Sequence, residues 1–157
     1  QLRGLLDGFA GRQAAQAPAS AKAALMAVLD DSVAAMQDAA RTADVPRYYG
    51  ENLRFHWAIA EAAGNQPLAE TYRGIVQKLH LARLKNLSQD VGMQASIAEH
   101  VEIVEALRQC APARVEALMA HHVGDAFHRL LATAPDTRQA TAPAPLPPST
   151  KKPETTP

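Results

Sequence analysis

Cysteine occurs once in the 157 residues, as Cys110, which excludes an internal disulfide framework and any Cys-x-x-Cys zinc or redox motif. The expected setting of that thiol is buried or half-buried, in a reducing compartment. An excess of one charge is also missing. Sixteen Lys and Arg stand against sixteen Asp and Glu, so there is no basic surplus or stripe with which a free-standing nucleic-acid binder neutralises phosphates. No apolar run approaches the roughly 18–20 residues that cross a membrane, and the amino terminus lacks a signal peptide's basic start, apolar stretch and cleavage site. The cytoplasm is the expected compartment. There is no Gly-rich phosphate loop, no Gly-x-Ser-x-Gly elbow, no His-Glu-x-x-His and no Glu-x-x-His pair. Nucleotide, hydrolase, zinc-protease and di-iron readings lose their usual warrants, and an enzyme is not expected.

What is present is a hydrophobic fraction of 47%, ordinary for one soluble domain. Seven of the eleven prolines fall in 134–157, where apolar periodicity ceases, and that segment is expected to be a disordered or polyproline-like tail. The other four, Pro18, Pro46, Pro67 and Pro112, stand where helices should start, because proline is tolerated in a first turn and sterically excluded further in. Between them run Ala- and Leu-rich stretches with apolar residues three and four apart and no alternating β-branched runs, so 1–133 reads as helix. Helices are expected at about 1–16, 19–42, 45–63, 67–88, 92–109 and 112–133, which makes the fold all-α, an antiparallel bundle of about six helices. Gly64 reads as a left-handed helix stop, Asp90-Val91-Gly92 as an interruption, and Ser96 as a residue able to extend or re-cap the next helix. The first helix starts at Gln1 already within an amphipathic pattern, an expectation that the natural protein continues upstream.

Six histidines raise the question of a metal, since neutral imidazole suits Zn, Ni, Cu or Fe. Asn52 and His56 are four apart and share one face of the third helix. His100 lies midway along the fifth helix and His122 midway along the sixth, so three helices can each direct donors inward. His121 and His122 are about 100° apart around their helix, so only one can face inward, and spacing alone does not choose between them. His121 and His128, seven apart, are assigned to the surface or an interface. His80 and Arg83, three apart on the fourth helix, can face one cavity.

The stretch Asn52-Leu53-Arg54-Phe55-His56 through Ala63-Gly64-Asn65 resembles the (D/N)-x-x-F-H … (S/A)-G-N signature of the FCD domain, the helical effector-binding half of many GntR-family bacterial transcription regulators. Glu99-His100-Val101-Glu102-Ile103 with Ala106-Leu107 is similar to the family's E-H-x-x-I-x-x-A-L. The stretch from Ala113 to Val123, with Met119 and His122, resembles its A-x-x-x-M-x-x-H-(I/V) helix, and Leu2 to Ala10 resembles its first helix. The resemblance covers about 1–133 and implies a six-helix effector domain that forms a homodimer and follows a winged helix-turn-helix DNA-binding domain. The resemblance carries the expectation that this chain lacks that domain and that DNA is reached only through it.

In the metal-binding branch, the matching positions are Asn52, His56, His100 and His122, which selects His122 over His121. The ion implied is divalent, with zinc first and nickel or another transition metal as alternatives. Asn52 stands where many members have Asp, giving an uncharged oxygen donor and a more weakly held ion. A small organic acid is the implied effector, with Arg3 and Arg83 as candidates for a second carboxylate contact beside His80. The acyl-coenzyme A branch lacks these histidines, which argues against a fatty-acyl effector. Two other readings stay open: a metal-free helical dimerisation module, and a metal-dependent enzyme using a bound water.

Overall fold

The computed structural model describes residues 2–87 and 90–132, with the side chains of 79–91 and 130 outside that description. Six helices account for it: α1 Leu2–Ala15, α2 Ala19–Arg41, α3 Val45–Ala62, α4 Gln66–Leu87, α5 Asp90–Arg108 and α6 Pro112–Ala132. Among the described residues there is no strand, so the all-α, six-helix expectation holds, each boundary falling within two residues of its expected place. The segment 134–157, expected to be a disordered tail, lies outside the described residues, as do the side chains of His80 and Arg83. No helix among the described residues is long and apolar enough to cross a membrane.

The four helix-starting prolines do what their geometry allows. Pro18 caps α2 and Pro46 lies in the first turn of α3. Pro67 and Pro112 are the second and first residues of α4 and α6, so none removes an interior hydrogen bond. Side-chain caps complete two of the starts. Asp44 accepts from the Arg47 amide at 3.1 Å, and Asn65 from the Leu68 amide at 3.0 Å, each satisfying a first-turn N–H that has no partner within its helix.

Three helices end on a left-handed residue, with φ of 53° at Ala43, 64° at Gly64 and 52° at Cys110. At Ala43 and Cys110 the following amide returns to a carbonyl five residues back, Asp44 to Ala39 at 2.9 Å and Ala111 to Ala106 at 3.1 Å, the closure of a Schellman turn. Only Gly64 was readable as such a stop, because only glycine signals it by type. The same turn corrects the expectation for Cys110. Its side chain leaves the end of a helix and is exposed, with Lys22 Nζ donating to its sulfur at 3.1 Å. Ser96 is corrected too: α5 begins at Asp90 and runs through Gly92, so Ser96 is a buried interior residue of the helix and not its cap.

The most extensive helix pairs are α1 with α6 and α2 with α3. Small residues bring α1 onto α6. A Cβ at Gly4 would lie 3.4 Å from the Ala120 carbonyl oxygen, and one at Gly8 3.0 Å from that of Glu116. One at Gly11 would lie 2.8 Å from Val115 Cγ1. Partners fall along α6 as α1 rises, so the two helices are antiparallel. The core cluster gathers Leu29, Met36, Phe55, Ile59, Ile103, Leu107, Val115 and Met119, all essentially inaccessible.

Candidate metal centre

α3 buries both Phe55 and His56. Adjacent residues on a helix point about 100° apart, so α3 is covered on two sides, by α2 and by α1. On the second side His56 meets His100 from α5 and His122 from α6. All three rings are at most 3% exposed. His56 Nε2 lies 3.1 Å from His122 Nε2 and 3.4 Å from His100 Nε2, and donor atoms of the three all fall within 4.8 Å of one another. Phe55 packs on His100 with ring centroids 4.4 Å apart, closing the apolar side of the cluster.

The outer nitrogens of two rings are committed. His56 Nδ1 lies 2.9 Å from Asp7 Oδ1, and His122 Nδ1 lies 2.6 Å from Glu99 Oε2. An ionised carboxylate only accepts, so each Nδ1 donates and, in a neutral ring, Nε2 carries the lone pair. His56 and His122 therefore turn lone pairs toward each other across 3.1 Å. Such a pair repels unless a positive centre, a proton or a metal ion, lies between. Nitrogens bound to one zinc at about 2.0–2.1 Å in tetrahedral array are roughly 3.3 Å apart, close to the two separations seen here. The donor set fits a transition-metal ion.

Asn52, one turn before His56, is 1% exposed, and neither its amide oxygen nor its nitrogen has a hydrogen-bond partner among the described residues. Leaving a buried amide unsatisfied costs on the order of 1–3 kcal/mol, a cost removed where an ion or ligand takes up the group.

Each outer carboxylate is held in turn by an arginine. Arg3 Nε lies 3.1 Å from Asp7 Oδ2, both side chains being buried, and the Tyr72 hydroxyl donates to Asp7 Oδ1 at 3.3 Å. Burial works against the Arg3 charge, but Asp7 together with Tyr72 outweighs it and moves the guanidinium above its ordinary pKa. Arg129 donates to both oxygens of Glu99, at 2.7 and 3.1 Å. Burial also opposes the Glu99 charge, yet the hydrogen bonds from His122 and Arg129 prevail and hold its pKa below the usual carboxylate value.

A family model described as the FCD domain matches residues 1–125. The chain belongs to the FCD family. No individual curated protein matches it. Membership makes this an effector-sensing domain of the GntR regulator class, a regulatory family in which dimers are typical.

Of the FCD positions expected to hold metal, the structure brings His56, His100 and His122 together and puts Asn52 on the same buried face of α3. His121 and His128 are exposed. Arg3 is buried one carboxylate away from His56, while the side chains of Arg83 and His80 lie outside the described residues. The sequence reading missed Asp7, Glu99, Tyr72 and Arg129. A signal existed for two of them: Arg3 and Asp7 are four apart on a helix whose inward face is otherwise glycine and alanine, and Glu99 adjoins His100 within the motif. The pairing of Glu99 with His122 had none, since it joins two helices.

Proposed function

We propose that this FCD domain is a metal-dependent sensor of a small organic acid, acting by binding and not by turnover. The observation that carries the reading is the convergence of three imidazole Nε2 atoms whose two carboxylate-bound partners are fixed from behind. His56, His100 and His122, with the Asn52 oxygen, would hold a divalent ion, zinc first and nickel or another transition metal next. When bound, the ion supplies a Lewis-acid position that a carboxylate can occupy.

Local charge favours an anion. Asp7 and Glu99 each face their own guanidinium, from Arg3 and Arg129, and Asn52 and the imidazoles are neutral donors. The charge of a dication at this point is left uncompensated, which selects an anionic ligand over a neutral one. Arg3 adds a buried Nη2 without a hydrogen-bond partner among the described residues and remains the first candidate for a second carboxylate contact, with Arg83 and His80 on α4 behind it.

Burial of the three rings supports a mechanism in which binding opens the bundle. An organic acid reaches the ion only if helices part, so the liganded state differs in helix spacing from the closed one, and differential affinity for the two drives the response. In a dimeric cytoplasmic regulator carrying winged-helix domains, that change would alter how two DNA-reading units are spaced. Metal analysis of protein purified without chelator, beside His56→Ala, His100→Ala and His122→Ala, tests the centre: near-stoichiometric metal in the parent and its loss in each variant are expected. Calorimetric titration of small dicarboxylates, hydroxy acids and sugar acids into loaded and stripped protein tests the effector class. Equal heats in both forms would leave a metal-free helical module.

A further inference from the structure

Asp7 and Glu99 come from different helices, α1 and α5, yet their placement is alike. Each accepts from the Nδ1 of one histidine, and each faces an arginine on its far side, Arg3 in an ion pair at 3.1 Å and Arg129 in hydrogen bonds at 2.7 and 3.1 Å. Arg3 and Asp7 are one helical turn apart on α1, while Arg129 and His122 are two turns apart on α6 and hold Glu99 between them. A lone carboxylate beside an imidazole can rotate, but one fixed on both sides cannot, so it dictates which ring nitrogen bears the proton.

We infer that Asp7 and Glu99 are the positioning residues of the centre, locking His56 and His122 as Nδ1–H tautomers with Nε2 directed at the ion, and that Arg3 and Arg129 hold these carboxylates in place. For metal affinity this rests on the metal reading above; for the tautomers it does not. The two carboxylates also take over a task that a charged residue at position 52 would share. With a neutral Asn52, negative charge reaches the ion only through imidazoles made more electron-rich by their carboxylates, so removing either carboxylate costs affinity without removing a ligand.

The test uses the full chain, stripped of metal and then titrated with zinc against a chromophoric chelator, with Asp7→Asn, Glu99→Gln and the conservative Asp7→Glu. Nitrogen-15 NMR of the histidine rings in the stripped protein should show His56 and His122 as Nδ1–H forms. Asp7→Asn should release the first and Glu99→Gln the second. Zinc affinity should fall roughly 10- to 100-fold in each variant and recover in part in Asp7→Glu. Glu99 is only half-buried, so Glu99→Gln carries the test by itself if Asp7→Asn does not fold. Unchanged tautomers in a folded variant, or affinity within twofold of the parent, would overturn the inference. A parent that binds no zinc but shows both tautomers, released by the variants, would sink the metal reading and leave the positioning role standing.

Discussion

Asn52 is where one atom decides the character of the proposed centre. An amide oxygen and a carboxylate oxygen occupy nearly the same volume, so Asn52→Asp is expected to leave the fold unchanged. The added negative charge should tighten divalent-ion binding by about tenfold or more, read in a chelator competition. It should also weaken the response to organic acids, because the ion is then partly neutralised before the effector arrives. Tighter metal binding with an undiminished calorimetric signal for the acid would show that the anion does not sense the ion's charge. In the core, Leu29 is fully buried, so Leu29→Ala should cost about 2–5 kcal/mol in denaturant unfolding, with no specific effect on the ion.

At the scale of helices, glycine and alanine positions separate propensity from packing. Gly74, inside α4, has nothing within 4 Å of an added Cβ, so Gly74→Ala should stabilise by roughly 0.5–1 kcal/mol through helix propensity. Gly11→Ala carries the same propensity gain, but its Cβ would lie 2.8 Å from Val115 Cγ1 and 2.9 Å from Met119 Cγ. Val115 is β-branched and packed and cannot swing away, so overpacking of about 1–3 kcal/mol should win and the variant should be less stable. Equal urea midpoints for the two variants would mean that α1 and α6 part without cost. The left-handed Ala43 offers the reverse case: Ala43→Gly relieves about 1–2 kcal/mol of backbone strain against a smaller entropic loss, for a net gain on the order of 0.5–1 kcal/mol.

For the whole molecule, the proposed centre links four helices, with histidines from α3, α5 and α6 and a carboxylate from α1. An ion that binds only the folded chain stabilises it by about 2.7 kcal/mol at a concentration one hundred times its Kd, roughly 10 °C in Tm for a domain of this size. Differential scanning calorimetry should show that shift on adding zinc to stripped protein, its reversal by chelator, and its absence in His100→Ala. A Tm indifferent to zinc in the parent would remove the ion from the account of how the bundle holds together. Loss of the shift in His100→Ala alone would tie the effect to this cluster and not to surface histidines such as His121 and His128.

Helix number, boundaries and the antiparallel order were legible in the chain itself, because proline position, apolar spacing and polar caps are local properties that act within a few residues. Family motifs likewise marked Asn52, His56, His100 and His122, each by its own neighbours. The chain did not reveal that Cys110 sits on a left-handed turn, since a cysteine there carries no signal of type. Nor did it show that Glu99 reaches past its neighbour His100 to serve His122, or that Asp7, 49 positions before His56, orients that ring. Those pairings depend on how α1 lies against α3 and α5 against α6, distances set by packing between segments far apart in sequence. Which nitrogen of a histidine faces its neighbours is therefore decided by tertiary structure, because the hydrogen-bond partner that fixes it comes from another helix.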